Sequence, residues 1–201
     1  MNTKTIALVS TLTSLTIVLS PAFLGPAIPA PFLPIVNYHI YEIPIVVAFL
    51  LIGARYGFLI TALNAIVMQA AFPNSPFIRP LPNLIAISSM LLGIYLAQKL
   101  VNRAVQQGRY PREMTLVVFA TAFGILLRNA VMRSLNYVSI TYALMIFGPP
   151  MPEPIMLIFL FLLTIFDTTL VLYTIPSGYL IARMISKNLK LGNISEKESN
   201  S

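Results

Sequence analysis

The polar side chains best placed for ligand chemistry lie between residues 129 and 137. Asn129, Arg133 and Asn136 are spaced i, i+4 and i+7, so a helix carries them on one face, which Tyr137 extends. Amides supply donors and acceptors, and a guanidinium supplies a fork for a carboxylate or phosphate. Such groups are costly against lipid, so we expect this face to line a bundle interior or a polar cavity. The stripe predicts at least one ligand contact, with a purely structural network as the alternative.

A lone acidic residue, Asp167, interrupts the apolar sequence between residues 154 and 182. At about 1.5 Å per residue, Asp167 lies ~20 Å from the start of its helix near 154, and Arg128 lies ~21 Å from the start of its own near 114. Across a hydrocarbon core of ~30 Å, their depths differ by about 10 Å, within reach of a tilted arginine. We expect a structural Arg128–Asp167 ion pair, with a proton or sodium relay as the alternative.

Residues suited to catalysis are missing from the sequence. There is no cysteine and one histidine, His39, which excludes thiolate chemistry and a metal site built from several histidines. No HExxH, GxSxG or GxxxxGK[ST] pattern occurs, and no carboxylates are paired at helical spacing. We therefore expect no enzyme activity, no metal, no covalent cofactor and no ATP hydrolysis by this chain.

The elements that position these groups follow from composition. Of 201 residues, 57% are hydrophobic and 9% are charged, and the mean hydropathy is +0.83. Soluble domains carry about 25% charged residues, so lipid must solvate much of this chain. In lipid the backbone satisfies its own hydrogen bonds, so long uncharged runs predict helices. The predicted fold class is an all-α polytopic membrane protein, and its net charge of +7 does not indicate nucleic-acid binding.

Six transmembrane helices are predicted in a domain of residues 1–187, followed by a disordered cytoplasmic tail at 188–201. The spans are Thr5–Leu24, Glu42–Ala54, Tyr56–Phe72, Leu81–Val101, Met114–Tyr137 and Pro154–Met184. With the N-terminus in the cytoplasm, the inner segments hold ten Lys and Arg residues, and the outer segments hold only Arg79. This distribution follows the positive-inside rule, so we expect a multi-pass protein of the cell membrane with both termini cytoplasmic.

A proline-rich outer loop between the first two helices covers residues 21–44. Its prolines favour an extended path, and its side chains are mostly apolar or aromatic. We expect it to fold over the outer helix ends, either as a lid over a site or as a belt in the membrane interface. Tyr38 and Tyr41 offer ring faces on which a flat heterocycle would stack.

Small residues recur every four positions on the first helix. Ala7 and Thr11 form one such pair, and Ser10 and Ser14 form another. Small side chains let helix backbones approach closely, so these residues either pack the bundle or contact a partner subunit.

The order of these parts resembles the substrate-binding S components of energy-coupling factor (ECF) vitamin transporters, over about residues 5–185. The riboflavin type is the most similar. Its second helix opens as residues 38–44 (YHIYEIP) do here, and it ends in a turn like residues 53–57 (GARYG). In the fifth helix, Arg128, Met132 and Asn136-Tyr137 are similar to that type's Arg…Met…Asn-Tyr series.

Two positions depart from the riboflavin type. Its Asn-x-x-Lys in the last helix is Asp167-Thr168-Thr169-Leu170 here, so the lysine is missing, and Arg133 replaces a small residue. These changes fit either a more anionic ligand or a guanidinium that replaces the lysine from across the cavity.

The resemblance implies a subunit that captures a vitamin-like molecule, with riboflavin the leading candidate. A transmembrane coupling subunit and two ATPase subunits would drive uptake, and the small residues of the first helix would contact the partner. Glu42 would neutralise Arg133 in the empty site. The expected substrate-binding residues are Tyr38, Tyr41, Glu42, Asn64, Asn129, Arg133, Asn136 and Tyr137. Two other classes remain open: an autonomous secondary transporter of a small solute, and a membrane scaffold that transports nothing.

Overall fold

The computed structural model describes residues 3–71, 80–106, 112–147 and 152–188. Within them the chain forms six helices and one antiparallel hairpin. In chain order these are α1 (Thr3–Val18), β1 (Ile28–Ala30), β2 (Leu33–Tyr38), α2 (Glu42–Leu51), α3 (Ala54–Ala71), α4 (Pro80–Gln106), α5 (Arg112–Phe147) and α6 (Glu153–Asn188). The described chain is nearly all-helical, as predicted, and the hairpin lies in the segment 21–44 that was predicted to be a non-helical loop. The predicted outer charge Arg79 and residues 189–201 of the predicted tail lie outside the described residues.

Three helices of the described chain are long and apolar enough to cross a membrane. Their qualifying segments are Pro80–Arg103, Thr115–Thr141 and Glu153–Asn188. The apolar helices α1 and α2 are shorter, with 16 and 10 residues. Ten residues rise only ~15 Å, about half of a ~30 Å hydrocarbon core, so α2 must end inside the bundle or be extended by its neighbours.

The proline-rich segment folds back on itself instead of following one extended path. β1 and β2 pair with the register Ile28↔Tyr38, Pro29↔Asn37 and Ala30↔Leu33. Prolines are tolerated here because each strand of a two-stranded ribbon has an edge whose N–H groups need no partner in the sheet. The hairpin packs on α6, where Ala30 is buried with Phe166 and Leu170.

Helix α2 lies at the centre of the packing. Its side chains from Pro44 to Phe49 are all buried, and it packs against α1, α3 and α6. A helix that is apolar on every side must be enclosed by protein or lipid, and here the neighbouring helices enclose it. Gly53, at a φ of 131°, provides the left-handed turn that leads directly into α3.

Helices α4 and α5 are in very close contact. A Cβ added at Gly93 would lie 2.6 Å from the carbonyl oxygen of Phe123 on α5, so the two backbones almost touch. A Cβ at Gly124 would instead meet the end of the Ile175 side chain on α6 at 2.7 Å. Glycines at these crossings bring α4, α5 and α6 together around the buried polar groups described next.

Candidate functional site

A buried charge network joins α2, α5 and α6. The guanidinium of Arg128 donates to Glu42 twice, from Nη1 to Oε2 at 2.7 Å and from Nη2 to Oε1 at 3.1 Å. Its Nε donates to Oδ1 of Asp167 at 2.9 Å. Glu42, Arg128 and Asp167 are 0%, 2% and 5% exposed. All three guanidinium nitrogens are used, which is the condition under which charges are tolerated in an apolar interior.

The partner that we predicted for Glu42 is not the one it has. Glu42 was expected to neutralise Arg133, but its carboxylate is bonded to Arg128, and His39 Nε2 lies 2.9 Å from its Oε1. Because Glu42 is the first residue of α2, the short helix delivers its side chain to the middle of α5. The network therefore contains two carboxylates facing one guanidinium, with an imidazole on its edge.

The hairpin is fastened to α6 beside this network. The Tyr38 hydroxyl is hydrogen-bonded to Oγ1 of Thr169 at 2.8 Å, and its ring lies 5.1 Å from the ring of Phe166. Tyr173 donates from its hydroxyl to the backbone oxygen of His39 at 2.6 Å. Tyr38 is thus a packed anchor of the hairpin in this structure, rather than a free ring face.

The residues of the polar stripe on α5 lie in different surroundings: Asn129 contacts α6, whereas others are exposed. Asn129 faces α6 and donates from Nδ2 to Oγ1 of Thr168 at 2.8 Å, while its Oδ1 is buried without a partner. Asn136 is half-buried, and Arg133 and Tyr137 are exposed. The stripe was expected to face the bundle interior or a polar cavity; Arg133 and Tyr137 are not in the interior, and their contact with a ligand stays a prediction. Among the described residues, α5 packs mainly against α4 and α6.

A cavity of about 290 Å³ opens between the turn after α1, helix α3 and helix α4. It lies at the small end of typical ligand pockets, which hold ~300–1,000 Å³. Asn64 of α3 lines it; this residue is 4% exposed, and its Oδ1 has no hydrogen-bond partner among the described residues. The described lining residues are Pro21, Ala22, Thr61, Asn64, Ala65, Met68, Pro80, Asn83, Leu84 and Ile87.

Tyr41 connects the cavity to the charge network. Its hydroxyl accepts a hydrogen bond from Nδ2 of Asn83, which lines the cavity, and its ring stacks on His39 with centroids 4.4 Å apart. The next residue in the chain is Glu42. Tyr41 is 2% exposed, so this contact is enclosed by protein. The structure thereby links the predicted residues Tyr41, Glu42 and Asn64, and it leaves Arg133, Asn136 and Tyr137 elsewhere on α5.

Sequence reasoning missed two contributors to this region, His39 and Asn83. The spacing of His39 three residues before Glu42 was a usable signal, since an i, i+3 pair at a helix start brings the side chains together. The signal for Asn83 was weaker. It precedes Ile87 by four residues, so both lie on the face of α4 that lines the cavity.

The small residues of α1 lie on its outer side. Ala7, Ser10, Thr11 and Ser14 are all exposed. The residues that pack inward are instead Thr5, Val9, Leu12 and Thr16. The stripes therefore do not pack this bundle, and they leave a surface of small and hydroxyl side chains without a neighbour in the described chain.

These features define a nearly all-helical protein with membrane-crossing helices, a short central helix and a buried polar centre beside a cavity. The fold is similar to the solved S component of a bacterial ECF transporter. The TM-score is 0.68 and the sequence identity 20%, with 93% of this chain and 98% of that chain covered. No protein-family model and no curated protein match the sequence. The chain thus has the S-component fold, and the likeness does not distinguish the riboflavin type from other types.

Proposed function

We propose that this chain is the substrate-binding membrane subunit of an ECF transporter and captures a vitamin-like small molecule for uptake. The observation that carries the proposal is the fold shared over 93% of the chain with a solved S component. The cavity and the unpaired carbonyl of Asn64 support it, because a binding subunit needs an enclosed site with an unused hydrogen-bonding group. Riboflavin, suggested by the sequence resemblance, is the first candidate ligand.

Energy for transport would come from other subunits. The sequence has no phosphate loop, so a coupling subunit in the membrane and two ATPase subunits would supply ATP hydrolysis. The exposed residues Ala7, Ser10, Thr11 and Ser14 of α1 are the surface that we propose for the coupling subunit. Small side chains there would let a partner helix approach closely within the membrane.

The proposed orientation places the hairpin outside the cell and both termini in the cytoplasm. It follows from the ten basic residues of the predicted inner segments. In this orientation the turn after α1 and the first turn of α4 face the outside, so the cavity they line would open toward incoming substrate.

Two observations favour this function over its rivals. A secondary transporter driven by protons or sodium needs a carboxylate that is free to bind and release the ion. Asp167 is instead bonded to Arg128 at 2.9 Å. A scaffold that binds no ligand needs no cavity, and here a cavity lies beside the buried side chain of Asn64.

Reconstitution in liposomes tests the proposal. Vesicles that contain this chain alone should bind labelled riboflavin, or the molecule that copurifies with the chain, without exchanging it across the membrane. Vesicles that also contain the coupling and ATPase subunits of the host should accumulate it when ATP is supplied. Counterflow by the chain alone would contradict the proposal and establish an autonomous transporter.

A further inference from the structure

We propose that His39 is a proton-dependent switch that fastens the β1–β2 hairpin to the start of α2. The hairpin is held most firmly when both ring nitrogens of His39 carry a hydrogen, and it loosens as the ring loses one of them with rising pH. The switch rests on contacts within this chain and not on the function proposed above. Only the side of the membrane that it senses, the outside, rests on the orientation proposed there.

His39 lies at the joint between two elements, because β2 ends at Tyr38 and α2 begins at Glu42. Its Nδ1 lies 3.0 Å from the backbone oxygen of Asn37 in β2. Its Nε2 lies 2.9 Å from Oε1 of Glu42. One side chain thus connects the end of the hairpin to the first residue of the helix.

Both partners of the ring are hydrogen-bond acceptors. The backbone oxygen of Asn37 cannot donate, and the carboxylate of Glu42 already accepts from Arg128 at both of its oxygens. A neutral imidazole has one N–H group and one lone pair, so it satisfies only one of the two contacts. The imidazolium has two N–H groups and satisfies both. Loss of the proton therefore leaves a lone pair facing an oxygen.

The charged groups around the ring also favour the proton. Among the described residues, the carboxylates of Glu42 on α2 and Asp167 on α6 attract a positive ring, and Arg128 on α5 repels it. Glu42 is in direct contact with the ring, and Coulomb attraction weakens with distance, so its carboxylate has the largest effect.

Three tyrosines also lie beside the ring. Tyr38 precedes it in the chain, and Tyr173 donates to the backbone oxygen of His39 at 2.6 Å. The ring of Tyr41 stacks on the imidazole with centroids 4.4 Å apart, and an aromatic face attracts a cation. The stacking therefore adds to the preference for the charged ring.

Loss of the proton should loosen the hairpin without releasing it. The side chain of His39 is 10% exposed, so water can exchange a proton with it. The bond between Tyr38 and Thr169 remains, as does the one from Tyr173 to the backbone of His39. Since one of the contacts at the joint is lost, we expect the open fraction of the hairpin to rise about tenfold.

The protonation state can be measured directly, because His39 is the only histidine of the chain. The full chain is purified in mild detergent through a tag without histidine, and NMR of the imidazole nitrogens is recorded between about pH 5 and about pH 8, where histidines titrate. We expect two N–H groups at the acid end and one at the alkaline end.

Opening of the hairpin can be measured with single cysteines, because the chain has none of its own. Leu33→Cys places a thiol at a buried position of β2, which reacts with a water-soluble maleimide when the hairpin opens. Ile35→Cys, at an exposed position of the same strand, corrects for the effect of pH on the thiol itself. The ratio of the buried to the exposed labelling rate should rise about tenfold from the acid to the alkaline end.

Two replacements of His39 separate its proton from its shape. His39→Gln carries no charge at any pH, so the ratio should be high and equal at both ends. His39→Lys stays positive and offers three N–H donors for the same two acceptors, so the ratio should be low at both ends. Thermal unfolding shows whether both variants remain folded.

Three results would overturn the proposal. A ring with one N–H group at the acid end, or with two at the alkaline end, would remove the change of state. A constant ratio while the ring loses its proton would show that the proton does not hold the hairpin. An equal rise in His39→Gln would assign the pH dependence to another group. Each result leaves the proposed function standing, since no step involves a ligand.

Discussion

Arg128 and Glu42 are 86 residues apart in the sequence, and two hydrogen bonds of 2.7 and 3.1 Å join them in the interior. Glu42 begins the short helix α2, and Arg128 lies near the middle of α5. These bonds and the one from Arg128 to Asp167 fix the position of the first residue of α2 relative to α5 and α6. The network is therefore the point at which the hairpin side of the fold and the α5–α6 pair are held together.

Removing the guanidinium should destabilise the fold strongly. Arg128→Ala leaves the carboxylates of Glu42 and Asp167 buried without a cation, which costs about 3–5 kcal/mol. Glu42→Gln should cost less, because Arg128 keeps its bond to Asp167. Unfolding by SDS titration in mixed micelles measures both. Arg133→Ala, at an exposed position, is the control, and equal stability of the Arg128 and Arg133 variants would contradict this role of the network.

A second prediction concerns the contact of α4 with α5. Gly93→Ala places a Cβ 2.6 Å from the backbone oxygen of Phe123, so the helices must separate, at a cost of about 1–3 kcal/mol. Gly124→Ala meets side-chain atoms, Cδ1 of Ile175 at 2.7 Å and Cγ1 of Val171 at 3.2 Å, which can shift more easily than a backbone, and it gains helix propensity, so it should cost less than Gly93→Ala. Thermal unfolding in detergent compares the two. A larger loss of thermal stability for Gly124→Ala than for Gly93→Ala would contradict the prediction that the contact between the α4 and α5 backbones is the more sensitive one.

A third prediction concerns the α1 surface. Replacing Ser10 and Ser14 together by Leu should leave ligand binding and stability unchanged, because both side chains are exposed. Binding to the host's purified coupling subunit should fall about tenfold or more, since close helix approach is blocked. Ala122→Leu adds bulk at an exposed position of α5 and serves as the control. If the α1 replacements leave the affinity for the coupling subunit unchanged, the partner surface does not include Ser10 and Ser14.

Part of this structure followed from the sequence because it depends on distances along single helices. The rise per residue placed Arg128 and Asp167 about 10 Å apart in depth, within reach of a tilted arginine, and the structure brings their side chains to 2.9 Å. The sequence did not predict that Glu42 bonds to Arg128, because this bond depends on the depth in the bundle at which the short helix α2 begins. That depth is set by the packing of other helices around α2, and the sequence of its ten residues does not predict that packing.

The hairpin and the open side of α5 were missed for two different physical reasons. The prolines of residues 21–44 predicted an extended path and no helix, but they did not predict that two extended pieces pair; Pro29 and Pro34 fit a ribbon whose strands each have a free edge. The spacing of Asn129, Arg133 and Asn136 predicted a shared face, but spacing does not say whether a neighbouring helix covers that face. Within the described residues, Asn129 is the one of the three whose side chain is bonded to a neighbouring helix, through Thr168.

Native mass spectrometry of the chain purified in mild detergent tests most directly whether it is a binding subunit. The spectrum should show one small organic molecule per chain, released on mild activation, and Asn64→Ala should lose most of that signal while Ala70→Leu, at an exposed position of α3, keeps it. A spectrum of the bare chain alone, unchanged after incubation with riboflavin, would contradict the proposal that this protein captures a substrate.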